Sequence, residues 1–296
     1  MKVFITGGAG FIAKNLTEQL QNDDEIFDCD VEKLDLLDDQ KVLSYLKKNK
    51  FDVVIHTATY DVITRRSTKD PAKVLENNLR MYFNLIRGQD YYGRLLYFGS
   101  GAEYGREKWQ AKMREDYYDQ NVPTDQYGYS KYLMTKYALL HKDIINLRLF
   151  AVFGKYEEWR ARFISNACCR AVLNLPIEIK QNVFFDYLYI DDLVKIVKWF
   201  IHNKPAKKVY NICTGQANDL KTLAEMVRQI SGKRLDIIIK TEGLGREYSG
   251  DNSLLMRELK NLELSPLEGS IKKLYDWYAD NKVMIKDYFQ KKCLAP

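Results

Sequence analysis

The sequence predicts an α/β protein with a doubly wound parallel sheet and a smaller C-terminal substrate lobe. Three observations carry that prediction. A short apolar run, Lys2–Thr6, breaks directly into Gly7, Gly8 and Gly10. Apolar runs of strand length then alternate with segments of helical period as far as residue 150. Beyond Gly154 the alternation loosens, as it does where a chain leaves its sheet to build a second lobe.

Residues 2–6 read as a strand, and Phe11, Ile12, Leu16 and Leu20 follow at helical spacing. A second strand is expected at 25–30, a helix at 38–50 and a third strand at 51–56. A helix at 72–87, a strand at 95–99, a helix at 127–141 and a strand at 145–150 continue the series. Strands that alternate with crossover helices pair in parallel, with helices on both faces. Later signals are a helix at 162–173 that stops at Asn174-Leu-Pro176, and Tyr187-Leu-Tyr-Ile190 running into a helix that starts at Asp191-Asp192. A strand at 209–213, a helix at 220–230, an apolar stretch at 235–239 and an amphipathic helix at 271–278 complete the reading.

Composition narrows the function classes. With 46% hydrophobic and 29% charged residues, the 296-residue chain is globular and long enough to bury a large core. No apolar run approaches the length of a membrane span, and the N-terminus passes from Lys2 to glycine without a leader-like apolar stretch, so a cytoplasmic protein that leaves membranes alone is expected. Cys29, Cys168, Cys169, Cys213 and Cys293 show no metal-like spacing and read as reduced, structural thiols. His56, His141 and His202 lie far apart, which argues against zinc or histidine-based catalysis, and no metal is expected. A net charge of +6 suits an anionic small molecule, but basic and acidic residues are interspersed, so no nucleic-acid partner is expected.

Glycines between a first strand and a first helix let the backbone turn sharply and approach a pyrophosphate, which the helix N-terminus then holds with amide donors and its dipole. Gly7, Gly10, Phe11 and Ile12 fall there, with Asp28 and Asp30 closing the next strand. The reading is a dinucleotide site on a Rossmann sheet. Residues 1–160 with 181–215 are expected to form this domain, and 161–180 with 216–296 the substrate-binding lobe.

Tyr127-Gly-Tyr-Ser-Lys131 sets a phenol and an ammonium on one helical face. With 21 tyrosines the same spacing recurs at Tyr104, Tyr132, Tyr278 and Tyr288, so position distinguishes Tyr127: it opens a helix one crossover after the strand ending at Ser100. A nearby ammonium favours the phenolate, so Lys131 is expected to lower the Tyr127 pKa from about 10 and make it a usable acid or base. Ser100 falls at the sheet edge where ligands bind, and its hydroxyl can steady developing charge on an oxygen. A catalytically silent dinucleotide sensor would have no need of this set.

On these residues the chain resembles the extended short-chain dehydrogenases of the NAD-dependent epimerase/dehydratase family. The likeness extends to Asp35-Leu36 and Ala58 in the cofactor region, Asn78, Leu147-Arg-Leu149, Asp186 to Asp192, Tyr210-Asn211 and Trp277-Tyr278. It implies a nucleoside-diphosphate sugar as substrate and a homodimer built on the 72–87 and 127–141 helices. Within the family, 32–38 and 98–104 look most like GDP-fucose synthase and related 4-keto-sugar reductases. Dehydratases carry an Asp-Glu pair after the catalytic hydroxyl, where this chain has Gly101 and Ala102. The epimerising members carry a cysteine at the Ala102 position and a histidine at the Arg162 position. The resemblance therefore implies reduction at C4 without C3/C5 epimerisation, with a nucleotide-sugar 4-epimerase as the alternative. Ala151 and Phe185 depart from the asparagine and arginine common in the family, which implies an unusual substrate pocket.

Ser100, Gly101, Ala102, Arg162 and Arg246 are the expected substrate contacts; Arg246 suits a diphosphate, and equally suits a solvated loop. Asp30 at a strand end favours NAD(H), whereas the reductase likeness, with Lys14 and Lys33 near a 2′-phosphate, favours NADP(H). NADP(H) is slightly preferred.

Overall fold

The structure, a computed structural model, describes residues 1–62 and 68–286. The glycine turn joins β1 (Lys2–Thr6) to α1 (Phe11–Leu20), and the chain returns through β2 (Glu25–Cys29). Next come α2 (Asp39–Asn49), β3 (Phe51–His56), α3 (Val74–Ile86), β4 (Tyr92–Ser100), α4 (Gln126–Leu140) and β5 (Ile144–Leu149). Two of these helices start on aspartate caps: Asp38 accepts from the Lys41 amide at 3.0 Å and Asp125 from the Gly128 amide at 2.8 Å. The remaining elements are β6 (Ala151–Phe153), α5 (Phe163–Val172), β7 (Ile177–Asn182), β8 (Phe184–Tyr189), α6 (Ile190–His202), β9 (Val209–Ile212), β10 (Ala217–Asp219), α7 (Leu220–Ser231), β11 (Ile237–Leu244), α8 (Ser253–Glu258) and α9 (Leu267–Asp280).

The main sheet runs β2-β1-β3-β4-β5-β9, and every pairing in it is parallel. Side chains alternate between its faces. Val3, Ile5, Val53, Ile55, Leu96 and Phe98 join the core under α1 and α6, while Phe4, Val54, Leu95 and Tyr97 join the core under α2, α3 and α4. Strand order reverses between β1 and β3, so the loops that leave them splay apart and open a crevice above the C-terminal strand ends.

Helices α5, α7 and α9 pack together beside the sheet, and their apolar residues, Ile164, Leu223 and Ile271 among them, are continuous with the core on the α1 and α6 face. β11 pairs in parallel with β7, and β6, β8 and β10 form a third small sheet. Cys29, Cys168, Cys169 and Cys213 are buried free thiols; Cys293 lies outside the described residues. No helix among the described residues is long and apolar enough to cross a membrane.

The differences from expectation are local. β2 stops at Cys29 rather than residue 30, because the Asp30 carboxylate accepts from the Lys33 amide at 3.1 Å and turns the chain. The three-residue strands β6 and β10 are too short to show a period. β11 is solvent-facing after Ile237, so it offers no apolar alternation to read.

Candidate active site

The crevice at the strand reversal begins with the glycine turn. Gly7 has φ +70°, and a Cβ there would stand 3.0 Å from the Ala58 backbone, so glycine is what allows the loops after β1 and β3 to close on each other. The Gly10 amide donates to the Gly7 carbonyl at 2.8 Å, and the first intrahelical amide is that of Lys14, donating to Gly10 at 3.0 Å. The amides of Phe11 and Ile12 therefore lie at the open end of α1, as a pyrophosphate requires. The residues present fit a dinucleotide.

Asn78, buried on α3, locks the facing loop: its carbonyl oxygen accepts from the Tyr60 amide at 2.8 Å, and its amide donates to the Tyr60 carbonyl at 2.9 Å. Leu36 is buried and its carbonyl accepts from Asn84, while Asp35 caps the Leu37 amide. Of the acids proposed at the end of β2, Asp28 is the one packed against Gly8, where an added Cβ would meet its side chain at 3.3 Å. Asp28 also pairs with Lys33 at 3.3 Å and lines a cleft of about 330 Å³ with Lys14, Thr17, Glu18 and Tyr156.

Ser100 ends β4, and its Oγ accepts from the Ala102 amide at 3.2 Å. Tyr127 stands in the first turn of α4, with Lys131 one turn on, buried, its ammonium donating to the Phe98 carbonyl at 2.8 Å and lying 5.9 Å from the Tyr127 ring centre. The structure thus brings Ser100, Tyr127 and Lys131 together. Burial pushes the Tyr127 hydroxyl up to about 12, and the charge of Asp61 adds to this; hydrogen bonding from Ser100 and the guanidinium groups of Arg162 and Arg106 oppose it. The expected lowering of Tyr127 is reversed by burial, and Lys131 itself is pulled down to about 8 by burial.

Beneath the site is a network that motif reading missed. Glu103, fully buried, accepts from the Ser100 amide at 2.9 Å, from Thr135 at 2.8 Å and from Arg148 Nε at 2.9 Å. Arg148 donates on to Tyr104 at 2.6 Å. The signal available in the sequence was a lone glutamate in 98–104 and, in the strand 144–149, an arginine as its one charged residue, two charges that burial obliges to pair. Asp61, close enough to act on both Tyr127 and Lys131, belongs to no motif that was singled out.

On the substrate side, Gly101 and Ala102 are buried and offer backbone only. Arg162 is exposed just before α5, and its charge reaches Tyr127, Tyr187 and Glu157. Arg246 donates to the Arg106 carbonyl at 3.1 Å, which sets both arginines at the mouth of the site. His56 is buried on β3 and pushed down to about 3 by burial and the Lys131 charge, so it is neutral at working pH. Among the described residues no cluster of three or more His, Cys, Asp or Glu is placed to hold a metal ion.

A family model described as the NAD dependent epimerase/dehydratase family matches residues 3–213, well over half of the chain. The chain belongs to that family. Among its curated members the chain is similar to an ADP-L-glycero-D-manno-heptose-6-epimerase of Cupriavidus pinatubonensis, 26% identical over 264 residues that cover 77% of each chain. The fold is shared with solved structures of the UDP-glucose 4-epimerase of Thermotoga maritima with UDP-glucose (TM-score 0.81, 20% identity, 95% of this chain and 99% of that one). It is shared equally with the GDP-mannoheptose C4 reductase of Campylobacter jejuni with NADP bound (TM-score 0.81, 20% identity, 94% and 98%).

Proposed function

We propose that this protein reduces a 4-keto nucleoside-diphosphate sugar at C4 with NAD(P)H, without epimerising C3 or C5. The observation that carries the reading is the convergence of Ser100, Tyr127 and buried Lys131 at the sheet edge beside a glycine turn shaped for a dinucleotide. Family membership and the substrates named for the relatives support it.

A bound nicotinamide supplies the hydride that C4 receives. Ser100 donates a hydrogen bond to the C4 oxygen, and Tyr127 transfers its proton to that oxygen, so the carbonyl becomes a hydroxyl. A phenol held up to about 12 keeps its proton across the neutral range, the state a reductase needs. Lys131 holds the cofactor ribose and balances the phenolate left after transfer. The Phe11 and Ile12 amides hold the pyrophosphate, and Arg246 with Arg162 lies where the sugar diphosphate enters. Ala102 carries no titratable group and position 162 carries a guanidinium where the epimerising members carry an imidazole, so neither supplies the proton carrier for C3 or C5.

NADP(H) is proposed over NAD(H), since Lys33 neutralises Asp28 and exposed Lys14 stands beside the same cleft. A second reading, epimerisation through the same residues with retained NAD, is favoured by the curated 6-epimerase relatives.

Incubation with a panel of UDP-, GDP- and ADP-linked 4-keto sugars and the corresponding 4-hydroxy sugars, with each cofactor, followed by mass spectrometry for reduction and proton NMR for configuration, tests both. Reduction consumes the reduced cofactor mole for mole; interconversion of diastereomers without net cofactor oxidation overturns the reductase reading in favour of the epimerase. Tighter binding of NADH than NADPH by about tenfold, 1.4 kcal/mol, overturns the cofactor preference.

A further inference from the structure

The segment 245–251 crosses the site as a strap pinned on both sides. The Tyr248 amide donates to the Phe184 carbonyl at 2.9 Å, and the Asp186 amide donates to the Tyr248 carbonyl at 3.1 Å. On the other side the Met113 amide donates to the Ser249 carbonyl at 3.1 Å, and the Lys112 amide to Ser249 Oγ at 2.8 Å. This aims Tyr248 inward. Its ring lies 4.0 Å from Trp109 and 5.0 Å from Phe150, and it covers Gly101 so closely that a Cβ on Gly101 would stand 2.5 Å from the Tyr248 hydroxyl. Residue 101 must therefore lack a side chain for Tyr248 to reach the site.

The hydroxyl has two partners within the protein, and one of them is Ser100. The other is the Leu149 carbonyl, to which it donates at 3.5 Å, the limit of a hydrogen bond, although the residue is only 7% exposed. Ser100 bonds it, and the charges of Tyr127 and of Arg106 and Arg162 at the mouth of the site act on it. A buried phenol bonded to the same serine that bonds Tyr127, with its remaining bond at the limit of length, is placed to exchange that weak bond for one to a ligand oxygen.

We propose that Tyr248 is a specificity-determining residue whose hydroxyl binds the oxygen on a sugar carbon next to the one that reacts. The inference rests on the function proposed above. Tyr127 and Ser100 take the reacting oxygen, Tyr248 takes its neighbour from the other side of Ser100, and the preferred substrate class is a sugar that keeps that neighbouring oxygen.

The test is Tyr248→Phe, which keeps the packing on Trp109 and Phe150. The variant is checked for thermal stability and NADPH binding, then assayed with the most rapidly reduced sugar of the panel and with the analogue lacking the neighbouring hydroxyl. For Tyr248→Phe we expect unchanged NADPH affinity, kcat/KM at least about tenfold lower on the hydroxylated sugar, and no change on the deoxy analogue. If Tyr248→Phe folds poorly, the unaltered enzyme reads the same contact: its kcat/KM should be at least about tenfold higher on the hydroxylated sugar than on the deoxy analogue, and equal values overturn the inference. Equal kcat/KM for Tyr248→Phe and the unaltered enzyme on the hydroxylated sugar, or equal losses on both sugars, overturns this inference alone. No turnover of any panel member by the unaltered enzyme overturns the proposed function, and the inference with it.

Discussion

Glu103 and Arg148 form an ion pair at 2.9 Å in which neither side chain touches solvent, directly beneath the serine of the site. Removing one partner from such a pair leaves a buried charge uncompensated, at about 3–5 kcal/mol. Glu103→Ala should therefore lower unfolding stability by that amount in urea, and it also frees the Ser100 amide. Replacement of both residues by apolar side chains of similar volume should recover much of the loss. A single mutant as stable as the unaltered protein would show that the pair is not buried in solution.

Tyr127→Phe removes a proton and leaves the ring. Turnover should fall at least about 100-fold while NADPH binding, followed by fluorescence titration, stays within about twofold. Near-normal turnover would remove Tyr127 from the mechanism.

Lys131 is charged only below about 8. If its ammonium grips the cofactor, kcat/KM of the free enzyme falls as pH rises through about 8, and Lys131→Arg moves that limb upward. Lys131→Met should weaken both turnover and cofactor binding. Damage to one without the other breaks the dual role.

Glu157, buried beside Ser165, is pushed up to about 8 by burial, against 4.5 for an ordinary glutamate. The folded chain thus keeps a proton that the unfolded chain releases. Its contribution to stability is complete below about 4.5 and is lost as pH rises through about 8. Glu157→Gln should flatten the pH dependence over that window and raise the urea midpoint at its upper end; an unchanged profile would mean that Glu157 ionises normally.

The α3 and α4 helices pack through Phe83 and Tyr137, ring centres 5.1 Å apart, yet Phe83 remains 37% exposed and Leu140 80% exposed. We expect this face to be covered by a second copy of the chain. Sedimentation velocity at micromolar concentration should show a dimer, and Phe83→Glu a folded monomer; a monomeric unaltered protein overturns the expectation.

Much of this was readable before any coordinate. β1 and β3 match their expected bounds because a buried parallel strand is a bare apolar run closed by glycine or polar residues, and Ser100, Tyr127 and Lys131 could be singled out because the serine ends a strand while the tyrosine and lysine share one face at the start of a helix. What escaped was non-periodic or non-local. β10 is three residues, Ala217 to Asp219, with no strand-like pattern, made a strand only by pairing with β8. The upward push on Tyr127 depends on burial and on Asp61, neither of which has a sequence spacing. Tyr248 was one of many tyrosines until the strap placed it.

That strap also bears on the order in which the molecule matures. Lys112 and Ser249 are 137 residues apart in the chain, and Arg106 and Arg246 are 140 apart, so these bonds close long loops. During synthesis the sheet from β1 to β5 can pair before residue 245 has been made, whereas the mouth of the site cannot. The dinucleotide half should take shape first and gain its sugar selectivity only as the last fifth of the chain arrives, so a nascent chain halted before the strap could hold a cofactor without choosing a substrate.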